Sequence, residues 1–106
     1  MKINWADVPA KQKSEQHVVR QLDCGSFYFT VHEYSPGWGD EWHSHPEAQF
    51  GHVLRGGMRV WIEKEVIEQG EGESVFISGG VKHKSAVPSQ KTMTLNLYVK
   101  PVGQQL

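Results

Sequence analysis

Apolar residues alternate with polar ones along much of the chain, most clearly from 27 to 34, where Phe27, Phe29 and Val31 are separated by more polar side chains. A repeat of two is typical of β-strands, because successive side chains leave opposite faces of a strand. The same spacing returns near the C-terminal end of the sequence. The apolar positions of both segments are expected to form part of the core, and they are Phe27, Phe29, Val31, Met93, Leu95 and Leu97.

Short segments of this kind follow one another at intervals of roughly 8–12 residues, with glycine-rich or proline-rich turns between them. They predict strands at residues 17–22, 27–34, 49–54, 58–62, 65–68, 74–77, 82–87 and 91–99. No segment carries an apolar stripe with helical spacing. The sequence therefore predicts one all-β domain, a sandwich or barrel, over residues 17–100. Residues 1–16 are expected to be a leader, and residues 101–106 a C-terminal tail.

The length and charge of the chain exclude several classes of partner. With 106 residues it suits a single domain, and its net charge is −1 with scattered lysines and arginines. Such a surface has no basic patch for nucleic acid or for an anionic membrane. No long apolar run is present, so we expect a cytoplasmic protein without a membrane partner. The single cysteine, Cys24, cannot form an internal disulfide and is expected to pack beside a turn.

Two segments concentrate side chains that bind metals. They read Gly37-x5-His43-x-His45-x3-Gln49-x6-Gly56 and Gly72-x5-Ser78-x-Gly80-x2-His83. On an extended strand, His43 and His45 leave the same face because they are two residues apart. Imidazoles together with an amide oxygen suit a first-row divalent ion such as Mn, Fe, Co, Ni, Cu or Zn.

The two segments resemble the paired motifs of the cupin superfamily. The first family motif, G-x5-H-x-H-x3-4-E-x6-G, is matched with Gln49 in place of the usual Glu. In the second, G-x5-P-x-G-x2-H-x3-N, Ser78 stands for Pro and Val87 for Asn. The resemblance implies a small jelly-roll β-barrel that holds one divalent transition metal per chain. The metal ligands that it implies are His43, His45, Gln49 and His83.

The stretch from His43 to Val53 is similar to a narrower group of single-domain cupins, in which three His and one Gln are the ligands. This group includes the pectin-degradation cupins that linearise unsaturated monouronates. There, a final-strand Asp-x-Phe followed by an Arg handles the sugar acid. This chain has Asn96-Leu97-Tyr98 instead, and no Arg follows Pro101. The implied metal ligands of this chain thus resemble those of the group more closely than its residues at the substrate-handling positions do.

A Gln ligand leaves the double positive charge of the ion uncompensated, which strengthens its action as a Lewis acid. Four protein ligands on a six-coordinate ion leave two adjacent positions, which suit a substrate with two chelating oxygens. We therefore favour an enzyme that isomerises, ring-opens or tautomerises a small sugar acid or hydroxy-ketone. The alternatives are an iron-dependent dioxygenase and a non-catalytic small-molecule binding module.

Several other residues are candidates for roles beside the metal ligands. The candidates for acid/base or substrate contacts are Glu47, Tyr98, Asn96 and His32. Gln49 has the alternative of turning away, which would leave a site of three histidines, and His52 is expected to face away from the barrel lumen. A homodimer is expected, with Trp61, Phe76 and Leu54 as candidates for an apolar patch on an outer face.

Overall fold

The computed structural model describes residues 1–105 and shows two facing antiparallel β-sheets. The strands are β1 (Ala10–Ser14), β2 (His17–Asp23), β3 (Phe27–Tyr34), β4 (Trp38–Gly39), β5 (Ala48–Arg55), β6 (Gly57–Ile62), β7 (Glu65–Gly70), β8 (Ser74–Ile77), β9 (His83–Val87) and β10 (Thr92–Val99). Short 3₁₀ turns lie at Trp5–Asp7 and Val102–Gln105. The all-β jelly-roll prediction is confirmed.

The strands divide unequally between the sheets. The larger sheet has the order β1-β2-β3-β10-β5-β8, and the smaller has the order β4-β9-β6-β7. In the larger sheet β10 lies between β3 and β5, so residues distant in sequence become cross-strand neighbours. This arrangement brings the last strand of the barrel beside the strand that carries Gln49.

Two adjacent rows of residues cross the larger sheet and describe its two faces. The outer row, in register across five strands, is Leu22, Phe29, Leu97, Phe50 and Phe76. The inner row, which is offset from the outer row by one residue on each strand, is Gln21, Thr30, Asn96, Gly51 and Val75. Phe50 and Phe76 of the outer row are 47% and 62% exposed, whereas Thr30 and Asn96 of the inner row are 4% and 6% exposed.

The burial of these rows shows that the predicted core residues lie on the wrong face. The residues expected there (Phe27, Phe29, Val31, Met93, Leu95 and Leu97) are only half-buried and lie on the outer face of the larger sheet. The alternation correctly grouped them on one face, but periodicity alone cannot decide which face is interior. The buried apolar side chains are instead Tyr34, Val53, Val60, Ile77 and Val87.

All eight predicted strands are present, but two further strands were missed. β1 lies within the segment expected to be a leader and pairs with β2 at the edge of the larger sheet. β4 is only two residues long and pairs with β9. Cys24 lies at the predicted turn but is exposed, so the expectation that it packs is wrong. Among the described residues, no helix has the length and hydropathy needed to cross a membrane.

Candidate metal centre

Backbone hydrogen bonds bring together the segments that carry the three predicted histidine ligands. His43 N donates to His83 O at 3.0 Å, and His83 N donates to His43 O at 2.9 Å. Gly80 N donates to His45 O at 2.8 Å, which attaches the turn before β9 to the loop before β5. A Cβ at Gly79 would lie 2.3 Å from Pro46 O, so this close approach requires glycine. Gly79 and Gly80 thus position the ligand loops.

The three imidazoles form one cluster, with a nitrogen of each within 4.8 Å of the others. Their Nδ1 atoms contact backbone carbonyls: His43 with Glu41 O at 2.7 Å, His45 with Glu47 O at 2.9 Å, and His83 with Val81 O at 2.9 Å. Because a carbonyl only accepts, each Nδ1 must carry the proton. In the neutral rings, Nε2 is therefore the free ligand atom, as in a histidine oriented for a metal.

Gln49 points at this cluster, so the alternative in which it turns away is not the one adopted. Its Oε1 lies 3.1 Å from His45 Nε2, and its Nε2 donates to Asn96 Oδ1 at 3.2 Å. In the tautomer set by Glu47 O, His45 Nε2 has a lone pair and no proton. Two acceptor atoms therefore face one another, an arrangement that a bound cation would satisfy.

The donor set fits a divalent transition ion. Three imidazole nitrogens and one amide oxygen are ligands that such ions accept. Each ring is also oriented by the hydrogen bond from its Nδ1 to a backbone carbonyl. Burial lowers the pKa of His83, which favours the neutral form needed for ligation.

Comparison with known proteins agrees with this geometry. Residues 30–99, more than half of the chain, match the cupin domain family. The chain is a cupin. No curated protein matches it in sequence.

Solved structures show the same fold at low sequence identity. KdgF from Halomonas sp. has a TM-score of 0.82 and 14% identity, with 95% of each chain covered. A Streptococcus pyogenes protein of unknown function has a TM-score of 0.75 and 23% identity, with 84% of this cupin and 78% of that chain covered. Oxalate decarboxylase from Bacillus subtilis, which has Mn(II) centres, has a TM-score of 0.83 and 19% identity. The match covers 94% of this cupin but 29% of the decarboxylase chain.

Three of the four candidate ligands, His43, Gln49 and His83, line a cavity of about 130 Å³ between the two sheets. Its walls combine inward side chains of both sheets, including Val60, Ile77, Ser85 and Thr94. Among the described residues that line the cavity, none is a lysine or an arginine. The cavity therefore offers a cation site and neutral hydrogen-bonding groups to a small molecule.

Asp40 is the cavity residue that the sequence patterns did not single out. Its Oδ1 accepts a hydrogen bond from Ser85 N at 2.7 Å, and its Oδ2 lies 3.9 Å from His43 Nδ1. Burial raises the pKa of Asp40, although the hydrogen bond from Ser85 N and the nearby His43 and His83 oppose the rise. Asp40 lies in the loop three residues before His43, a position that periodicity does not assign to either face.

Three of the four candidate acid/base or substrate residues line this cavity, namely Tyr98, Asn96 and His32. Tyr98 packs edge-on against His45 at 5.6 Å between ring centroids, and burial raises its pKa so that the phenol stays protonated. The fourth, Glu47, is not brought into the cavity. Its carboxylate lies 4.0 Å from His45 Nδ1, on the side of the ring away from the cluster.

A second pair of histidines lines the cavity away from the ligands. His17 Nε2 lies 2.6 Å from His32 Nδ1, and His32 Nε2 contacts Thr30 Oγ1 at 2.9 Å. Burial lowers the pKa of His32 to about 3, with smaller contributions from His17 and Lys13. His32 is therefore a neutral hydrogen-bonding group of the cavity wall at ordinary pH.

Proposed function

We propose that this cupin binds one divalent transition ion through His43, His45, Gln49 and His83 and acts as an enzyme on a small oxygenated metabolite. The observation that carries the proposal is the convergence of three Nε2 lone pairs and Gln49 Oε1, while every Nδ1–H is occupied by a backbone carbonyl. A site of this kind without a cation would leave acceptor atoms facing each other.

The charge of the site supports Lewis-acid chemistry. All four ligands are neutral, so a bound divalent ion would keep its full charge and would polarise an oxygen of the substrate. The absence of lysine and arginine from the described cavity wall leaves the ion as the main group able to attract an anionic oxygen. A sugar acid or a hydroxy-ketone, which offers two adjacent oxygens, suits both features.

Isomerisation, ring opening and tautomerisation all require a proton to move near the polarised oxygen. Asp40 is the carboxylate of the cavity wall, and the neutral Tyr98 phenol lies on the opposite sheet. We propose Asp40 as the proton acceptor and Tyr98 as a hydrogen-bond donor to the substrate. The resemblance of the ligand motif to the cupins that linearise unsaturated monouronates supports uronates as the first substrates to assay. Asn96, in place of the carboxylate expected of that group, limits the resemblance.

The direct test of this mechanism is Gln49→Glu, assayed with unsaturated uronates and small hydroxy-ketones. The substitution keeps an oxygen ligand but cancels one unit of charge at the ion. Turnover should fall about ten-fold or more, because roughly 1.4 kcal/mol of electrostatic stabilisation corresponds to that factor. Gln90→Glu makes the same chemical change at an exposed position and should leave turnover unaltered.

The two alternative functions give distinct outcomes in the same experiment. Faster turnover of Gln49→Glu with oxygen uptake by the ferrous protein would replace the Lewis-acid proposal with a dioxygenase. Tight metal binding without turnover of any substrate would leave a non-catalytic binding module.

We also propose that two chains associate through the outer face of the larger sheet. Phe50, Leu54 and Phe76 are 47%, 43% and 62% exposed on this face, and contiguous exposed apolar groups are typical of association surfaces. Trp61, expected to share the patch, belongs instead to the smaller sheet, where Lys84 Nζ lies 4.9 Å from its ring. The proposed dimer interface therefore consists of residues on the outer face of the larger sheet and excludes Trp61.

A further inference from the structure

A chain of side-chain hydrogen bonds leads from the sheet interior to the proposed metal ligand Gln49. Asn96 Nδ2 donates to Thr94 Oγ1 at 3.1 Å, and Gln49 Nε2 donates to Asn96 Oδ1 at 3.2 Å. Asn96 and Thr94 are 6% and 2% exposed, so water has little access to these bonds. Each amide in the chain has its nitrogen toward one neighbour and its oxygen toward the next.

The direction of this chain matters because the two ends of a glutamine amide have the same shape and opposite hydrogen-bonding character. With its oxygen toward the histidines, Gln49 offers a lone pair to a cation. With its nitrogen there, it would present two N–H donors and repel the cation. Asn96 Oδ1 accepts from Gln49 Nε2 and so favours the first orientation.

Gly51 provides the space that Asn96 needs. The two residues are cross-strand partners on β5 and β10, and Gln49 lies two residues before Gly51 on the same face. A Cβ at position 51 would lie 2.7 Å from Asn96 Oδ1, the atom that accepts the bond from Gln49. A side chain at position 51 would displace that oxygen, although it would touch no metal ligand.

We infer that Asn96 is a positioning residue that fixes the Gln49 oxygen toward the ion, and that Gly51 makes room for it. This inference rests on the proposed metal site. It gives Asn96 a role different from the acid/base role considered for that position, because its amide acts on a ligand and not on the substrate.

The first experiment measures Co(II) binding by calorimetry and by the visible absorption of the bound ion. Asn96→Leu has a similar volume but accepts no hydrogen bond, so affinity should fall about 10–100-fold and the absorption should change. Asn96→Asp keeps the acceptor and should bind Co(II) at least as tightly as the wild type. Equal losses in both variants, with native circular dichroism, would overturn the inference.

A double-variant cycle separates an effect through Gln49 from a general effect on the barrel. In a Gln49→Ala background, Asn96→Leu should cause no further loss of Co(II) affinity. Gly51→Ala should weaken binding in the wild-type background, whereas Gly39→Ala, whose added Cβ would have ordinary contacts of 3.6 and 3.7 Å, should not. An undiminished loss from Asn96→Leu in the Gln49→Ala background would contradict the positioning role.

A measurement on the metal-free protein keeps this inference distinguishable from the proposed function. The Gln49 side-chain amide protons should exchange slowly with solvent in the wild type and fast in Asn96→Leu, as followed by NMR. Equal exchange in both proteins would overturn the positioning role. Failure of the wild type to bind Co(II), with the exchange difference present, would overturn the metal site while retaining the orienting contact.

Discussion

The outer and inner rows of the larger sheet lie side by side, yet they have opposite chemistry. The outer row is wholly apolar and carries exposed phenylalanines, whereas the inner row combines Thr30, Asn96 and Gly51 at the barrel interior. In most half-buried sheets the apolar face is the buried one. Here the interior accepts polar groups because they are paired: among the described residues, no buried side-chain nitrogen or oxygen lacks a hydrogen-bond partner.

The difference between the rows indicates two distinct uses of one sheet. In the proposed function the inner row helps to bind a ligand in the cavity, and its polar groups are tolerated because hydrogen bonds compensate their desolvation. In the proposed assembly the outer row is part of the surface through which two chains associate. Changes on the inner face should therefore affect metal binding and stability, and changes on the outer face should affect assembly.

The largest effect should come from filling the inner site with metal. At a free metal concentration of about 100 times Kd, the free energy of unfolding should rise by about 2.7 kcal/mol through mass action. Chelation should reverse this gain while the far-UV circular dichroism stays β-type, because the apolar core does not include the ligands. A spectrum that collapses to coil in chelator would show that the ion builds the fold.

Lowering the pH should destabilise the inner face through His32. Its folded pKa of about 3 lies below the unfolded value near 6.5, so the unfolded chain binds the proton more readily. This stabilisation is complete above pH 6.5 and is lost as the pH falls toward 3, and the loss is about 2 kcal/mol at pH 5. His32→Gln should flatten the pH dependence of denaturant unfolding between pH 7 and 5. An unchanged slope in this variant would contradict the burial of a neutral His32.

Breaking one polar pair of the inner face should cost less. Thr92, 3% exposed, accepts a hydrogen bond from Gly57 N at 3.1 Å and donates to Gly57 O at 2.9 Å. Thr92→Val has the same volume but leaves Gly57 N–H without this partner, so the free energy of unfolding should fall by about 1–2 kcal/mol. Thr92→Ser, which keeps the hydroxyl, is the matched control. A Val variant as stable as the wild type in urea would show that the pairing is not needed.

The smallest effect on stability should come from the outer row. Phe76→Ser removes a 62% exposed ring, so the free energy of unfolding of the single chain should change by less than about 0.5 kcal/mol. The same variant should shift the sedimentation behaviour from dimer toward monomer. If the wild type sediments as a monomer at high concentration, the proposed assembly is wrong.

The strands were predictable because alternation and glycine-rich turns are local signals. β1 was not, since all five of its residues are exposed and lack an apolar repeat. Periodicity grouped Phe27, Phe29 and Val31 correctly but placed them inside, because it fixes relative and not absolute facing. Only the position of the second sheet decides which face is covered.

The candidate metal ligands were predicted from the resemblance to cupins, but the side chains that contact and support them were not. Gln49 and Asn96 are 47 residues apart, and they meet only because β10 lies between β3 and β5. Asp40 was missed because a loop before a ligand has no periodicity to indicate where its side chain points. The order of the strands in the sheet, which depends on long-range pairing, therefore determines site contacts that the sequence alone did not predict.

The measurement that tests the central claim most directly is the metal content of protein purified without an affinity tag, compared among three variants. His43→Ala and His83→Ala each remove one of the proposed ligands, whereas His52→Ala removes a histidine of β5 that contacts Ser74 Oγ on the outer face. The account predicts about one transition ion per chain in the wild type and in His52→Ala, and loss of the ion in the other two. Unchanged metal content in both His43→Ala and His83→Ala would contradict it.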